Sequence, residues 1–484
     1  MHWCKKLLRH MIKLGVINSF KFKNKLALKY TWVILASLLA LFFGYIIQLN
    51  LAIVIFLISL YAYLKFSRLN IRNYFFLNIT LLFLIIFVTS YFIIRKGWSI
   101  LYIPFSVIPM LATLLFYNLE LSLVISLAAS ISVASLSASF FQVVLLFLTS
   151  GILSSMLVKG ARRRTTVIRA GFIVGIVQVI LLIFIERFWL GLSSRYLILF
   201  ANGIASSIIV LGVLPVFEYL FNAVTNISLL ELADFHHPLL QRMNLEAPGT
   251  YHHSLVVGNL SETACVAVGA HALLARIGSY YHDIGKLNKP EYFSENQSIK
   301  ESKHDMLSPT MSKLIIMNHV KEGLELAKKH KLNPVLIDFI IRHHGNSLVY
   351  YFYRRALEGL EEDQEIKEEG FRYHGPKPNT KETAIVLLAD SVEAAARALK
   401  DPGPAKIEEV VHKIINNKFI DRQLDECDLT LKDIERISAV FIRILCGIYH
   451  NRVTYPEEPR SENSNKRLPK EDSHQSEKDT KSNP

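Results

Sequence analysis

Cysteine is scarce in this chain. The 484 residues hold four, Cys4, Cys265, Cys427 and Cys446, scattered and with no CxxC pair, which excludes a disulfide framework and a thiolate zinc site and fits a reducing cytosol. Charge is sparse as well: 20% of residues are charged and 51% are hydrophobic, too apolar for an ordinary soluble protein. Acidic residues fall short of basic ones, 41 against 54, for a net charge of +13. That excess does not signal nucleic acid, and no nucleic-acid partner is expected. Lys5-Lys6, Arg9, Lys21 to Lys29 and Lys159 to Arg164 lie beside apolar runs, the pattern of membrane topology. A small-residue cleavage site behind a short apolar core is also missing, so the first apolar run is expected to be a retained anchor, not a signal peptide.

Nearly all the apolar excess lies before residue 222. Eight runs, near 31–49, 51–66, 74–94, 101–117, 120–137, 140–158, 167–186 and 197–221, approach the roughly 20 residues a helix needs to cross a bilayer core. With residues 1–30 as a basic cytoplasmic N-terminus, the basic stretches after two and six spans return to the cytoplasm, and the second half of the chain follows eight. Arg95-Lys96 goes against this. The runs at 101–117 and 120–137 are so closely joined that a re-entrant pair or a different count is the alternative. Residues 222–248 form a connector with the apolar spacing of short amphipathic helices, and residues 456–484 are a polar tail expected to be disordered.

The second half holds His253, the doublet His282-Asp283, His319, the doublet His343-His344 and Asp390, imidazole and carboxylate donors of the kind divalent first-row metals accept. His282-Asp283 follows the apolar run Ala272 to Tyr281, with Gly285 expected to end that helix. His343-His344 closes the run Val335 to Arg342 just before Gly345, a helix stop. Asp390 ends the run Ala384 to Ala389 as its only charge. Burying such carboxylates without a partner is costly, and a metal resolves the cost.

The order H…HD…H…HH…D resembles the HD phosphohydrolase superfamily. The words Gly249-Thr250-Tyr251-His252-His253-Ser254, Tyr281-His282-Asp283-Ile284-Gly285-Lys286, His343-His344-Gly345 and Leu388-Ala389-Asp390-Ser391-Val392-Glu393 resemble the seven-transmembrane-receptor HD family, with its PgpH-like cyclic di-AMP phosphodiesterases, from about Tyr102 to Tyr449. The resemblance implies an all-α protein: a polytopic helical membrane domain over 31–221, then an all-helical cytosolic HD domain over 249–455, in a bacterial inner membrane. It implies two transition-metal ions, iron or manganese with di-iron favoured. One would be held by His253, His282, Asp283 and Asp390, the other by Asp283, His319, His343 and His344. Asp283 would bridge them and Lys286 would hold a phosphate oxygen. His252 is set aside because the family word aligns the histidine directly before Ser254. His236-His237 and His271, His304, His330 and His374 are read as structural or surface residues, although His304-Asp305 lies in a family-like segment that can line the pocket. The acidic stretch Glu358 to Glu369 reads as an insertion near the site mouth.

The implied function is hydrolysis of cyclic di-AMP to linear pApA by a water activated between two metals. The implied partners are the nucleotide and the bilayer, and a homodimer is compatible with both. In one respect the chain departs from the family: where relatives carry a large extracytoplasmic domain between the first two spans, Asn50 alone separates two apolar runs. The GYP tripeptide of the cyclic di-GMP enzymes is absent too. Another nucleotide phosphohydrolase acting on cyclic di-GMP or nucleoside phosphates, or a non-catalytic nucleotide-binding membrane receptor, are the rival readings.

Overall fold

The computed structural model describes residues 75–186, 194–297, 302–359 and 366–449. The expected spans near 31–49 and 51–66, the N-terminus and the polar tail lie outside these residues, and the acidic stretch lies partly outside them. Within them the chain is helical. The single β-bridge, Leu348 with Arg372, is antiparallel, and no strand occurs among the described residues.

Among the described residues six helices belong to the membrane module: α1 (Phe75–Arg95), α2 (Val107–Phe116), α3 (Leu119–Ala134), α4 (Phe140–Val158), α5 (Arg164–Ile185) and α6 (Ser194–Phe221). Four of them, α1, α4, α5 and α6, are long and apolar enough to cross a membrane. Large apolar side chains on their outer faces, such as Phe141, Phe172 and Ile180, remain exposed, as lipid-facing residues are. The helices pack through small residues: a Cβ on Gly171 or on Gly203 would lie 2.5 Å from the other's carbonyl oxygen, so α5 and α6 approach backbone to backbone.

The run 101–117 is not one helix. It consists of a 3-10 turn (Ile100–Tyr102), a non-helical stretch through Ser106, and then α2, whose ten residues span only about 15 Å. Pro104 lies in the non-helical stretch, while Pro109 is tolerated in the first turn of α2. Asn202 of α6 donates to the carbonyls of Leu101 (2.8 Å) and Ile103 (3.0 Å), satisfying backbone that the broken helix leaves open, as apolar surroundings require. Asn202 stands 19 residues before the end of α6 at Phe221, about 28 Å along the helix. At the other end Tyr117, in left-handed conformation with φ 53°, donates to Val224 O at 2.9 Å beyond that same end of α6 and packs edge-on against His271, 4.6 Å between centroids. Turn and helix together therefore run alongside α6 from Asn202 to its end, and α3 follows at once.

Two short helices, α7 (Asn226–Leu232) and α8 (Pro238–Glu246), lead into the second half. Arg164 at the head of α5 pairs with Glu231 of α7 at 2.6 Å, and Asn333 donates to Ala223 O, so the basic connection between α4 and α5 faces this half. The helical domain beyond comprises α9 (Pro248–Val268), α10 (Ala272–Tyr281), α11 (Pro309–Lys329), α12 (Pro334–Arg342), α13 (Tyr350–Glu358), α14 (Lys381–Arg397), α15 (Pro404–Ile420) and α16 (Leu431–Ile448). Its centre is α14. Every residue from Ala384 to Ala389 is fully buried, so this helix is apolar all round because it is surrounded, with α9, α10, α15 and α16 against it. A Thr380–Thr383 capping box opens it.

Candidate metal centre

Five helices deliver polar side chains to one buried point. His253 lies in the second turn of α9, His319 midway along α11, and Asp390 inside α14. His282 and His343 are the C-cap residues of α10 and α12, with Asp283 and His344 following them. Gly345 stops α12 with φ 54°. Gly285 does not end α10, which stops at Tyr281; it lies inside a 3-10 turn (Ile284–Asn288). Its role is close approach, since a Cβ there would sit 1.8 Å from His319 O. The glycine thus lets the turn carrying Asp283 and Lys286 lie directly on the α11 backbone that presents His319.

All seven residues expected as ligands come together, in two groups whose donor atoms lie within 4.8 Å of one another: His253, His282, Asp283 and Asp390, and His319, His343 and His344. Asp283 stands between the groups. Its Oδ2 lies 3.1 Å from His282 Nε2 and 3.7 Å from His253 Nε2, and its Oδ1 lies 3.4 Å from His319 Nε2 and 3.6 Å from His343 Nε2. Three of the imidazoles are oriented alike. The Nδ1 atoms of His282, His319 and His343 face the carbonyls of Ser279, Ile316 and Ile340, each three residues back. Donation there turns Nε2 to the centre, where the ring in its neutral form offers a lone pair. His253 is held instead by the Glu393 carboxylate on Nδ1, while its Nε2 sits 3.0 Å from Asp390.

The donor set fits metal ions on its own terms. Asp283 Oδ1, Asp283 Oδ2 and His282 Nε2 are buried without a hydrogen-bond partner; Lys286 Nζ is 2.8 Å from Oδ2 but not aligned for a hydrogen bond. The Nε2 atoms of His319 and His343 face each other at 3.1 Å. Burial, reinforced by the neighbouring His282 charge, pushes His343 down to about 3, so two lone pairs are opposed. Burial dominates at His344 as well, holding it well below the ordinary value. In the other group burial again pulls down, yet Asp283 and Asp390 overcome it and raise His282 to about 10, and Asp390 and Glu393 raise His253. Cations resolve both the opposed lone pairs and the stranded carboxylate oxygens.

Beside the centre a cavity of about 780 Å³ is lined by His253, His319, His344 and Asp390 on one wall and by Lys286, Tyr292, Phe293, Glu295, His304 and Lys418 among others. The Lys286 ammonium sits between Asp283 and Glu295, 2.8 and 2.7 Å away. Burial works against Glu295 ionising, but Lys286 prevails and holds it at about 2. His304, read as a surface or structural residue in a segment that can line the pocket, is buried, donates from Nε2 to the Tyr292 carbonyl at 2.8 Å, and lines this cavity with Asp305. His236, His237, His271, His330 and His374 take no part in either donor group. Glu295, Tyr373, whose ring stacks on His344 at 4.2 Å, and Glu393, which holds His253, join the site although the motifs assign them no role. Only Glu393 left a signal, one helical turn after Asp390 in a word already singled out.

Comparison with known proteins gives the same two parts in the same order. Residues 39–225 match the model of a 7TM receptor with intracellular HD hydrolase, and residues 250–395 match that of the HD domain. The chain is 43% identical over 317 residues to the cyclic-di-AMP phosphodiesterase PgpH of Bacillus subtilis (strain 168), covering 64% of this chain and 44% of that one. It is 41% identical over 322 residues to the protein of the same name from Listeria monocytogenes, covering 65% and 44%. The crystal structure of the L. monocytogenes PgpH HD domain in complex with cyclic-di-AMP matches at 46% identity over 45% of this chain and 100% of that one, with a TM-score of 0.43. The chain spans less than half the length of the curated relatives it matches. By its two family matches and these relatives, it belongs to the 7TM receptor family with an intracellular HD hydrolase.

Proposed function

We propose that this protein is a membrane-anchored, metal-dependent phosphodiesterase that hydrolyses cyclic di-AMP to linear pApA, with its HD domain on the cytoplasmic face of the bacterial inner membrane. The observation that carries the reading is the buried Asp283 carboxylate, both oxygens lacking a hydrogen-bond donor, set between two groups of donor atoms beside a cavity large enough for a nucleotide. Identity above 40% to two proteins named as cyclic-di-AMP phosphodiesterases supports the substrate.

His253, His282, Asp283 and Asp390 would hold one cation and Asp283, His319, His343 and His344 the other, iron or manganese suiting such nitrogen and oxygen donors. Two divalent cations there would lower the pKa of a shared water and offset the charge that builds on the phosphate. Lys286 has three N–H donors. One goes to Glu295, the Asp283 charge 2.8 Å away holds the ammonium from the other side, and a further donor is left for a non-bridging phosphate oxygen, whose charge it stabilises as water oxygen bonds to phosphorus and the ribose oxygen leaves. Glu393 keeps the His253 ring oriented, and Phe293, with Lys286 Nζ 5.0 Å above its ring, keeps bulk water from that ammonium. The test is direct: metal-loaded protein is incubated with cyclic di-AMP, cyclic di-GMP and linear pApA. Preference for cyclic di-AMP with pApA accumulating supports the proposal, and preference for cyclic di-GMP, or binding without turnover, overturns it.

A further inference from the structure

A cyclic dinucleotide carries two phosphates, and the centre described so far engages one. The cavity wall holds cations besides Lys286. Two of them are already matched: Arg355 pairs with Asp305 at 3.3 Å and Arg397 with Glu393 at 3.5 Å. Lys418 is not. It reaches the cavity from the last turn of α15, half-buried, and its Nζ donates to Ser347 Oγ at 2.8 Å. Among the described residues no carboxylate lies within 4 Å of it. Asp421, close in sequence, is engaged elsewhere, accepting from Arg372 at 2.8 Å and from Gln423 Nε2 at 2.8 Å. Gln423 in turn bonds Asn346, so the end of α15 is tied to the segment that carries Ser347. The lysine is thus held in place by a network that leaves its charge unmatched.

An ammonium has three donors, and one neutral hydroxyl does not replace the water that a half-buried lysine has lost. Burial accordingly lowers the Lys418 pKa, against the opposing pull of Asp390 and Asp421. Lys286 and Lys418 line the same cavity as Asp390 from different elements, one on the 3-10 turn after α10 and one on α15. An anionic oxygen entering the cavity would supply what Lys418 lacks.

We propose that Lys418, oriented by Ser347, binds the second phosphate of the dinucleotide, the one not under attack. This rests on the phosphodiesterase reading and adds a specificity determinant to it: a ligand with two phosphates is held at two points and a ligand with one is not. The experiment uses full-length, manganese-loaded protein with cyclic di-AMP and, as a one-phosphate ester, bis(4-nitrophenyl) phosphate. Lys418→Ala should raise KM for cyclic di-AMP about tenfold, the size of one hydrogen bond to a charged group. The effect on the one-phosphate ester should be several-fold smaller, and the change should be carried by KM more than by kcat. Lys418→Arg should recover most of the loss, and Ser347→Ala should shift KM in the same direction by less, which keeps the test valid if Lys418→Ala folds poorly by circular dichroism. Equal losses on both substrates, or a Lys418→Ala protein indistinguishable from the parent on cyclic di-AMP, would overturn the assignment while leaving the phosphodiesterase intact. A parent that leaves cyclic di-AMP uncut ends the phosphodiesterase reading and the second-phosphate site with it.

Discussion

Replacing Asp283 by asparagine changes one oxygen for an NH2 group and leaves size and shape alone, and the geometry gives it a specific outcome. Oδ2 faces His282 and His253 while Oδ1 faces His319 and His343, so one amide oxygen can serve only one group. Lys286 Nζ, 2.8 Å from Oδ2, will hold that oxygen on the His253–His282 side and turn the NH2 towards His319 and His343, where a donor repels a cation. Mutating a residue that merely orients a metal ligand costs 10- to 100-fold in affinity; loss of a direct, charged ligand should exceed about 100-fold, or roughly 2.7 kcal/mol. Asp283→Asn should therefore retain about one metal per domain where the parent holds about two, and Asp283→Ala should retain less still. Elemental analysis after dialysis, with initial rates on the same preparations and circular dichroism as a folding control, reads the result. Two tightly held metals and near-parental turnover in Asp283→Asn would refute the bridging role of this carboxylate.

Lys286→Ala leaves every donor atom of the two groups in place, so metal content should hold while turnover falls on the order of a hundredfold, as for loss of one transition-state donor; unchanged kinetics would make this lysine a purely structural partner of Asp283 and Glu295. Glu393→Gln should weaken metal binding 10- to 100-fold without unfolding the domain, measured by competition with a chelator; an unaltered affinity would remove Glu393 from the support of His253. Loading metal near pH 7 should release about one proton per domain from His282, raised to about 10 by Asp283 and Asp390 against burial, with a further fraction from His253. Because the ring must be neutral to coordinate, affinity should rise with pH up to the raised pKa, and calorimetry in buffers of differing ionisation enthalpy would expose an absence of release. Gly285→Ala should abolish soluble, metal-binding protein, since its Cβ would meet His319 O at 1.8 Å, and a stable variant with parental metal content would contradict the packing of that turn.

Five of the seven converging donors were legible because they stand at breaks in an otherwise apolar pattern: a charge at the end of Ala384 to Ala389, a doublet after Ala272 to Tyr281, another before Gly345. A polar side chain at such a place needs a partner, and the family words supplied the partner's identity. The end of α10 was misplaced because glycine has two uses, stopping a helix and admitting close contact, and only the position of His319 O distinguishes them. The passage at 101–117 reads as one apolar run, yet its proline-interrupted start depends on Asn202, a hundred residues away, for its hydrogen bonds. Lys418 and Glu295 carried no signal at all, being a lysine in an amphipathic helix and a glutamate in a polar loop. What they do follows from which side chains the fold brings beside them.

A hydrolytic metal centre for a cyclic dinucleotide, as proposed for the converging histidines and aspartates, has a direct test. Full-length protein in lipid nanodiscs, stripped with chelator and reloaded with manganese or iron, should convert cyclic di-AMP to linear pApA, followed by liquid chromatography, with activity lost on stripping, restored on reloading and absent in Asp283→Ala. Folded, metal-loaded protein that leaves cyclic di-AMP intact would contradict it.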